Sequence, residues 1–376
     1  MALKILHIIP SYKPAYVYGG PMYSCSALCE ALVKQEHDVT VLTTTANGTE
    51  ELPVKPGEVQ VVDGVKVIYC KRITKDHTHF SPQLLRYLWK HVRGFDAVHI
   101  HSWWNLVSVF SLLICAKRGV RPVFSPRGML STYTQDTNHS IVKKWIHRFV
   151  GKPYLSKTKF HATSGAESNE VAALFPGSSV TEIFNFVNIP VAASLSPASF
   201  NKPVRILFLS RIDRKKGIEL LLQALQLVTF PFELNIVGPS EETYLASLQQ
   251  LAAEYQLQHK VKWCGPVYEN KFSLIRSHDL LALTSYNENF ANIIIESLSV
   301  GTPVLITDMV GLSNYVEANN LGWVCGVDVQ QIKASLEQAV SDTANRNDIR
   351  HRAPAVIARD FNAEVLVQHY IDLYKA

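Results

Sequence analysis

The sequence lacks the features that mark membrane-spanning, secreted and zinc-finger proteins. Its longest candidate membrane run, VSVFSLLICA at 107–116, falls well short of the ~20 residues that cross a bilayer. The opening MALKILHIIPSY has neither the long apolar core nor the cleavage site of a signal peptide and predicts a first strand instead. The six cysteines form no C-x-x-C pair and no Cys/His group with zinc-finger spacing. We therefore expect reduced, mostly buried thiols in a cytoplasmic protein, soluble or peripheral on the inner face of the membrane.

The sequence also has little excess charge. Its net charge of +5 suits an anionic partner, such as a diphosphate or an acidic lipid surface, but is too modest to imply nucleic acid. The G-x-G-x-x-G fingerprint and its acidic ribose-binding residue are missing, which disfavours an NAD-dependent oxidoreductase.

Apolar material is abundant and regularly arranged. A chain of 376 residues that is 47% hydrophobic has enough for two domains of about 150–200 residues. Short β-branched runs alternate with amphipathic segments, a pattern typical of α/β domains built on parallel sheets. The predicted strands are KILHII, DVTVLT, VKVIYC, AVHIH, PVFSP, FHATS and VTEIFN, followed by VRILFLS, ELNIVG, VKWCG, LLALTS and PVLITD.

The restart of this pattern at Val204 predicts the domain boundaries. We assign 1–190 to a first Rossmann-like domain, 191–203 to a Pro/Ser/Ala-rich linker and 204–358 to a second Rossmann-like domain. Pro354 suggests a break before a last helix, 359–376, that packs on either domain. The carboxyl ends of parallel strands bind ligands, so the chemistry is expected there.

Three features of the first half are candidate site residues. Gly19 and Gly20 precede a helix, where they allow either a turn or close approach of an anion to backbone N–H groups. His101 lies at the carboxyl end of its strand and is either catalytic or a structural histidine. Trp103 and Trp104 follow it and are either packing residues or a platform for an acceptor.

The second half contains the cations and carboxylates of a diphosphate and sugar site. Arg211 leaves a strand end and Lys216 precedes a helix, so both can converge on a diphosphate. Glu288 lies in a loop, and Glu296 lies about two turns into the following helix, where it can accept hydrogen bonds from a ribose diol. The apolar neighbours of Glu296 predict that it is buried and paired.

These stretches, in this order, resemble a known enzyme family. SRIDRKKGIELLLQAL is similar to G-R-L-x-x-x-K-G-x-x-x-L-L-x-A, and ENFANIIIESLSVGTPV to E-G-F-G-x-x-x-x-E-A-x-x-x-G-x-P-V, both from the retaining nucleotide-sugar glycosyltransferases of glycosyltransferase family 4. The Gly19-Gly20 loop, the strand HIH, FHATSGAE and NFVN extend the likeness over nearly the whole chain.

The resemblance implies a GT-B fold, in which two Rossmann-like domains face each other across a cleft and the last helix crosses back to the first domain. It implies that Arg211 and Lys216 hold the diphosphate, that Glu296 holds the ribose and that His101 meets the donor sugar. The donor-sugar hydroxyls are then held by Glu288 with Asn289, Phe290, Ala291 and Asn292.

Departures from the family pattern leave the donor open. Asn289 and Ala291 replace two glycines, and the Cβ of Ala291 can alter which sugar configuration fits. SPRGML at 125–130 also differs from the family, and we expect Arg127 to face an anionic acceptor or a donor phosphate.

The activity implied is retaining hexosyl transfer from a UDP- or GDP-sugar to a saccharide acceptor, free or lipid-linked, in surface polysaccharide or glycoconjugate assembly. We expect no metal or other cofactor, since no D-x-D motif occurs. A sugar-nucleotide epimerase of the same fold and a non-catalytic nucleotide-sugar-binding protein remain alternatives. The basic, aromatic segments 83–95 and 141–155 suit either packed helices or an anionic membrane surface.

Overall fold

The computed structural model describes residues 2–131, 145, 147–190, 203–267 and 269–376. The chain forms two compact units, Met1–Val187 with Ala363–Ala376, and Asn188–Asn362. The predicted linker 191–203 lies, except for Pro203, outside the described residues, and so do residues 141–144 and 146 of the predicted amphipathic segment 141–155.

The first unit is built on an eight-stranded sheet of order β10-β9-β8-β7-β1-β2-β6-β5. Its neighbours pair in parallel except for β5 and β6. β-Branched and leucine side chains fill the strands, since helices cover both faces of such a sheet. The strands are β1 Lys4–Ile8, β2 Asp38–Thr44, β5 Val59–Val62, β6 Val65–Cys70, β7 Ala97–His101, β8 Val123–Ser125, β9 Lys159–Ala162 and β10 Val180–Glu182, with a separate ribbon of β3 Ala46–Asn47 and β4 Glu50–Glu51.

Side-chain caps mark several helix starts in this unit. Asn105 Oδ1 accepts from Ser108 N at 2.8 Å, and Ser81 accepts from Leu84 N at 3.3 Å. The helices are α1 Gly20–Lys34, α2 Pro82–His91, α3 Leu106–Arg118, a π-helical segment His147–Leu155, α4 Gly165–Leu174 and the last helix of the chain, α12 Ala363–Lys375.

The second unit has a six-stranded parallel sheet of order β13-β12-β11-β14-β15-β16. The strands are β11 Val204–Leu209, β12 Phe232–Val237, β13 Val261–Trp263, β14 Leu280–Leu283, β15 Val304–Thr307 and β16 Gly322–Cys325. The helices are α5 Ile218–Gln226, α6 Glu242–Glu254, α7 Lys271–Arg276, α8 Asn292–Ser299, α9 Ser313–Ala318, α10 Val329–Ser341 and α11 Thr343–Asp360.

The end of the second unit differs from the sequence expectation. Pro354 lies inside α11, which continues to Asp360, so the predicted break at Pro354 is wrong. The chain leaves the second unit after Asn362, and α12 belongs to the first unit. None of the described helices combines the length and the apolar composition that crossing a membrane requires.

Candidate functional site

The loop that presents Lys216 is fixed by a close backbone contact. β11 ends at Leu209, and a 3-10 turn, Arg214–Lys216, precedes α5. Gly217 follows with a φ of +62°, and a Cβ there would lie 2.1 Å from Thr284 O. Only glycine fits this position. Thr284 Oγ1 donates to Gly217 O at 2.8 Å, so the loop after β14 holds the Lys216 loop in place.

The backbone of Glu288 is hydrogen-bonded to the loop that follows β15. Its N–H donates to Met309 O at 3.0 Å, and its carbonyl accepts from Gly311 N at 2.8 Å. The Glu288 carboxylate forms an ion pair with Lys216. The two side chains are only 14% and 11% exposed, so the structure joins two residues that lie 72 positions apart in the sequence. Partial burial makes this pair stronger than a surface ion pair, because fewer waters screen the charges.

The start of α8 lies directly after this pair. Ala291 is its N-terminal flanking residue and adopts a left-handed conformation with a φ of +66°. Phe290 is buried against Phe361, at 6.2 Å between ring centroids. Asn289 and Asn292 are half-buried. The predicted donor segment is therefore a tight turn into a helix, in which one predicted contact residue, Phe290, packs inward.

Glu296 lies within α8 and is paired, as predicted from its apolar neighbours. Its carboxylate is 2.6 Å from Lys271 Nζ, and its side chain is 13% exposed. Sequence reasoning missed Lys271, because nothing in the sequence connects the start of α7 with α8. The predicted contact of Glu296 with a ribose stays a prediction.

Arg211 is far more exposed than Lys216. Its side chain is 63% exposed, and its nearest carboxylate is Asp213 at 3.5 Å. Among the residues that the structure describes, no buried carboxylate pairs with Arg211. Arg211 is therefore free to reorient, whereas Lys216 is fixed by its surroundings.

In the first unit His101 lies in a buried network. It is 0% exposed, with Nε2 at 2.9 Å from His7 Nδ1 and Nδ1 at 3.3 Å from Arg127 Nη2. Burial lowers the pKa of His101 to about 4, although the Cys25 thiol opposes this shift. A neutral His101 donates or accepts hydrogen bonds but carries no charge at neutral pH. Its predicted contact with a donor sugar stays a prediction.

The other histidines of this network were not singled out by the sequence analysis. His7 on β1 pairs in register with His99 on β7, and His161 lies on β9. Burial lowers the pKa values of His99 and His161 well below the ordinary range. The signal in the sequence was a histidine inside each of three predicted strands.

Arg127 is also buried and is 7% exposed. Its guanidinium contacts Asn185, Ser24 and His101. The guanidinium of Arg127 is therefore already hydrogen-bonded within the protein. Its predicted contact with an anionic acceptor or a donor phosphate stays a prediction.

The tryptophans separate into two environments. Trp103 is fully buried in the core of the first unit, which favours the packing interpretation over an acceptor platform. Trp104 is partly buried, and its Nε1 donates to Met129 O at 2.6 Å. Gly19, with a φ of +67°, flanks the N-terminus of α1, and apart from chain neighbours no described residue comes within 4 Å of a Cβ built on Gly19 or Gly20. The start of α1 therefore has room for a ligand.

Comparison with known proteins identifies the family. The model described as "Glycosyl transferases group 1" matches residues 195–356, and the model "Glycosyltransferase Family 4" matches residues 18–190. An uncharacterized glycosyltransferase of Methanocaldococcus jannaschii is 24% identical over 99% of this chain and 98% of its own length. The D-inositol 3-phosphate glycosyltransferase of Corynebacterium urealyticum is 23% identical over 95% of this chain and 91% of its own length.

Solved structures share the fold. Sucrose-phosphate synthase from Thermosynechococcus elongatus superimposes with a TM-score of 0.77 at 19% identity, covering 99% of this chain and 98% of its own. Anabaena HepE, solved with UDP and glucose, has a TM-score of 0.75 at 17% identity and 99% coverage of both chains. With two Rossmann-like units and family matches over most of its length, this chain belongs to the group 1 glycosyltransferases of GT-B fold and transfers a sugar from a nucleotide-sugar donor.

Proposed function

We propose that the enzyme transfers a hexose from a UDP- or GDP-sugar to a saccharide acceptor, with retention of configuration and without a metal ion. The observation that carries this proposal is the ion pair between Lys216 and Glu288 directly before the start of α8. A cation and a carboxylate side by side suit a ligand that is itself anionic at one end and rich in hydroxyls at the other.

The diphosphate is assigned to Lys216 and Arg211. A departing nucleoside diphosphate develops negative charge, which fixed cations and aligned N–H groups stabilise without a metal. Lys216 is already fixed and largely buried, so it needs little reorganisation. The exposed Arg211 closes on the phosphates when the donor arrives.

The sugar is assigned to Glu288. Once a phosphate takes over Lys216, the carboxylate loses its cation and accepts hydrogen bonds from sugar hydroxyls instead. Backbone groups of Asn289 and Ala291 contact the same sugar, and Glu296 accepts from the ribose after Lys271 shifts. The acceptor hydroxyl then attacks from the face that the diphosphate leaves, with a phosphate oxygen as its proton acceptor.

The names of relatives support a choice among donors and acceptors. HepE is described in complexes with UDP and with UDP-glucose, which favours a uridine donor. WaaG and LpsE are described as acting in lipopolysaccharide biosynthesis, which favours an acceptor in surface polysaccharide assembly, either free or lipid-linked.

A location on the inner face of the membrane is part of the proposal. The exposed rings of Trp145 and Phe149 stack at 4.8 Å and provide an apolar contact for an anionic lipid surface. The unpaired cysteines suit a reducing compartment. Flotation with anionic vesicles should weaken as salt rises, and absence from the vesicles at all salt concentrations would remove this idea.

The assignment is tested first by a thermal-shift screen of UDP-, GDP- and ADP-sugars. One of them should raise the unfolding temperature, because a ligand that binds only the folded state stabilises it. With that donor, Lys216→Ala should cost about 2–4 kcal/mol of transition-state stabilisation, or roughly 30- to 1,000-fold in kcat/KM. Arg211→Ala should act in the same direction.

Lys262→Ala is the matched control, because Lys262 is 61% exposed and pairs with Glu233 on the neighbouring strand β12. It should keep the activity of the wild type. Near-wild-type turnover of folded Lys216→Ala would contradict the diphosphate assignment, and absence of stabilisation by every sugar nucleotide would contradict the donor class.

A further inference from the structure

A second group of chemically reactive side chains lies buried in the first unit. His7 is on β1, and Cys25 and Cys29 lie one turn apart on α1, so that both thiols share one helix face. A ring nitrogen of His7 and the two sulfur atoms all lie within 4.8 Å of one another. All three residues are 0% exposed. Two thiols and an imidazole at this distance are a ligand set for a metal ion.

Two polar atoms at this cluster have no hydrogen-bond partner among the described residues. One is His7 Nε2, and the other is the hydroxyl of Tyr12, whose one polar neighbour among the described residues is the weakly accepting thiol of Cys29. A buried polar atom without a partner costs about 1–3 kcal/mol. Replacing the thiols by thiolates bound to a cation would give both polar groups a stronger partner.

The neighbouring histidines do not form an equivalent site. His7, His99 and His101 also come within 4.8 Å of one another. Both nitrogens of His99 already have partners, however, with Nδ1 at 2.9 Å from Tyr374 Oη and Nε2 at 2.6 Å from Ser125 Oγ. A metal on His99 would break one of these contacts, whereas His7 Nε2 is available.

We propose that His7, Cys25 and Cys29 bind one Zn²⁺ ion. Thiolate and imidazole are the ligands that zinc prefers, and a tetrahedral ion with three protein ligands leaves its fourth position to a small donor from solvent. Two thiolates and one divalent cation sum to zero charge, so the buried cluster acquires no net charge.

Zinc gives both of these polar groups a stronger partner. His7 Nε2 becomes a ligand, and the Tyr12 hydroxyl donates to the Cys29 thiolate, which accepts hydrogen bonds better than a thiol. His7 Nδ1 then carries the ring proton and donates to His101 Nε2, 2.9 Å away, in the manner of ligand histidines that bind a second group.

The ion therefore sets the tautomer of His101. If His101 Nε2 accepts from His7, its proton lies on Nδ1, and the 3.3 Å contact of that nitrogen with Arg127 is given up. The zinc does not take part in sugar transfer in this proposal. It joins β1 to α1 and fixes the hydrogen-bonding state of a neighbouring residue, and its test requires no measurement of activity.

The experiment uses the full chain purified from zinc-supplemented cells. Metal analysis should find one zinc per chain. After removal of the metal with a chelator, added Co²⁺ should give the near-ultraviolet thiolate-to-cobalt absorption and the intense visible bands of a tetrahedral thiolate site. Both signals should disappear in Cys29→Ala and His7→Gln.

Cys115→Ala is the matched control, because Cys115 is also fully buried in the first unit but lies on α3. It should keep the cobalt spectrum and the zinc. Should Cys29→Ala not fold, the wild-type cobalt spectrum still decides. Three results would each overturn the proposal. They are a wild type without thiolate-to-cobalt absorption, loss of that absorption in Cys115→Ala only, and copper as the only bound metal.

Discussion

Lys216 and Glu288 form a largely buried ion pair, which the proposed diphosphate assignment requires a phosphate to separate. Glu288→Gln removes the competing carboxylate but leaves a side chain of the same size. We expect this variant to bind the nucleoside diphosphate a few-fold more tightly, because the phosphate no longer displaces a carboxylate from Lys216. Sugar transfer should fall at least tenfold, because the carboxylate no longer accepts from the sugar.

Calorimetric titration of the diphosphate and steady-state kinetics measure these two effects on the same preparation. Tighter binding of the diphosphate together with slower sugar transfer is the result that supports the assignment of Glu288 to the sugar. If the variant bound the diphosphate more weakly and kept its kcat, Glu288 would serve to position Lys216 and would not contact the sugar.

His79 links the stability of the first unit to pH. It is 5% exposed, and burial, reinforced by Arg72, lowers the pKa of His79 to about 4. The unfolded chain therefore takes up a proton at His79 below its ordinary pKa of 6.5, while the folded chain does not until about pH 4. This contribution to stability is complete above pH 6.5 and is lost as the pH falls through this window.

His79→Asn tests this effect. Asparagine tolerates the φ of +49° at this position and does not titrate. Between about pH 7.5 and about pH 5, the wild type should lose about 2 kcal/mol more of unfolding free energy than the variant. Urea unfolding at the two pH values measures the difference. Equal losses in the two proteins would mean that the pKa of His79 is the same in the folded and the unfolded chain.

At the scale of elements, two phenols attach the last helix to the first unit. Tyr374 Oη of α12 lies 2.9 Å from His99 Nδ1, and Tyr370 Oη lies 3.1 Å from His161 Nε2. All four side chains are buried. The polar contacts therefore hold α12 against strands of its own unit, although residues 188–362 of the second unit intervene in the sequence.

Tyr374→Phe should destabilise the first unit by about 1–3 kcal/mol, because it leaves His99 Nδ1 buried without a partner. Gln368→Ala on the exposed face of α12 is the control and should change stability by less than about 0.5 kcal/mol. Thermal unfolding of both variants measures the effect. Equal unfolding temperatures in Tyr374→Phe and the wild type would show that packing alone holds the helix.

Local pattern was enough to predict most of the elements. The twelve β-branched runs correspond to strands of the two sheets, because buried parallel strands require continuous apolar sequence. The two strands of these sheets that were missed, β5 and β16, both lie at a sheet edge. In the antiparallel β5, Val59 and Val61 are 60% and 71% exposed, so its composition shows no burial. Pro354 was read as a break, although proline ends a helix only where its missing N–H and its ring cannot be accommodated.

Side-chain partners between distant elements were not predictable from the sequence alone. The pairs Lys216–Glu288 and Lys271–Glu296 depend on which strands are neighbours in the sheet and on the lengths of their loops. His7 comes near His99 because β1 and β7 pair in that register, which no local pattern specifies. The sequence predicted candidate residue types, and the fold supplied their partners.

At the scale of the whole molecule, the chain forms two compact units, and each can unfold in a transition of its own. Calorimetry should resolve two transitions. Ile5 and Ile206 are both fully buried, on β1 and β11 respectively, so Ile5→Ala should lower one transition and Ile206→Ala the other. This pair of variants identifies which unit each transition belongs to.

Because the proposed diphosphate residues belong to the second unit, UDP or GDP should raise the transition that Ile206→Ala lowers. At a ligand concentration of about 100 times Kd, the gain is about 2.7 kcal/mol, or roughly 5–10 °C for a domain of this size. Lys216→Ala should remove most of the shift, and Lys262→Ala should preserve it. A nucleotide that raised only the transition lowered by Ile5→Ala would place the diphosphate on the first unit, and Lys216 would then have no part in holding it.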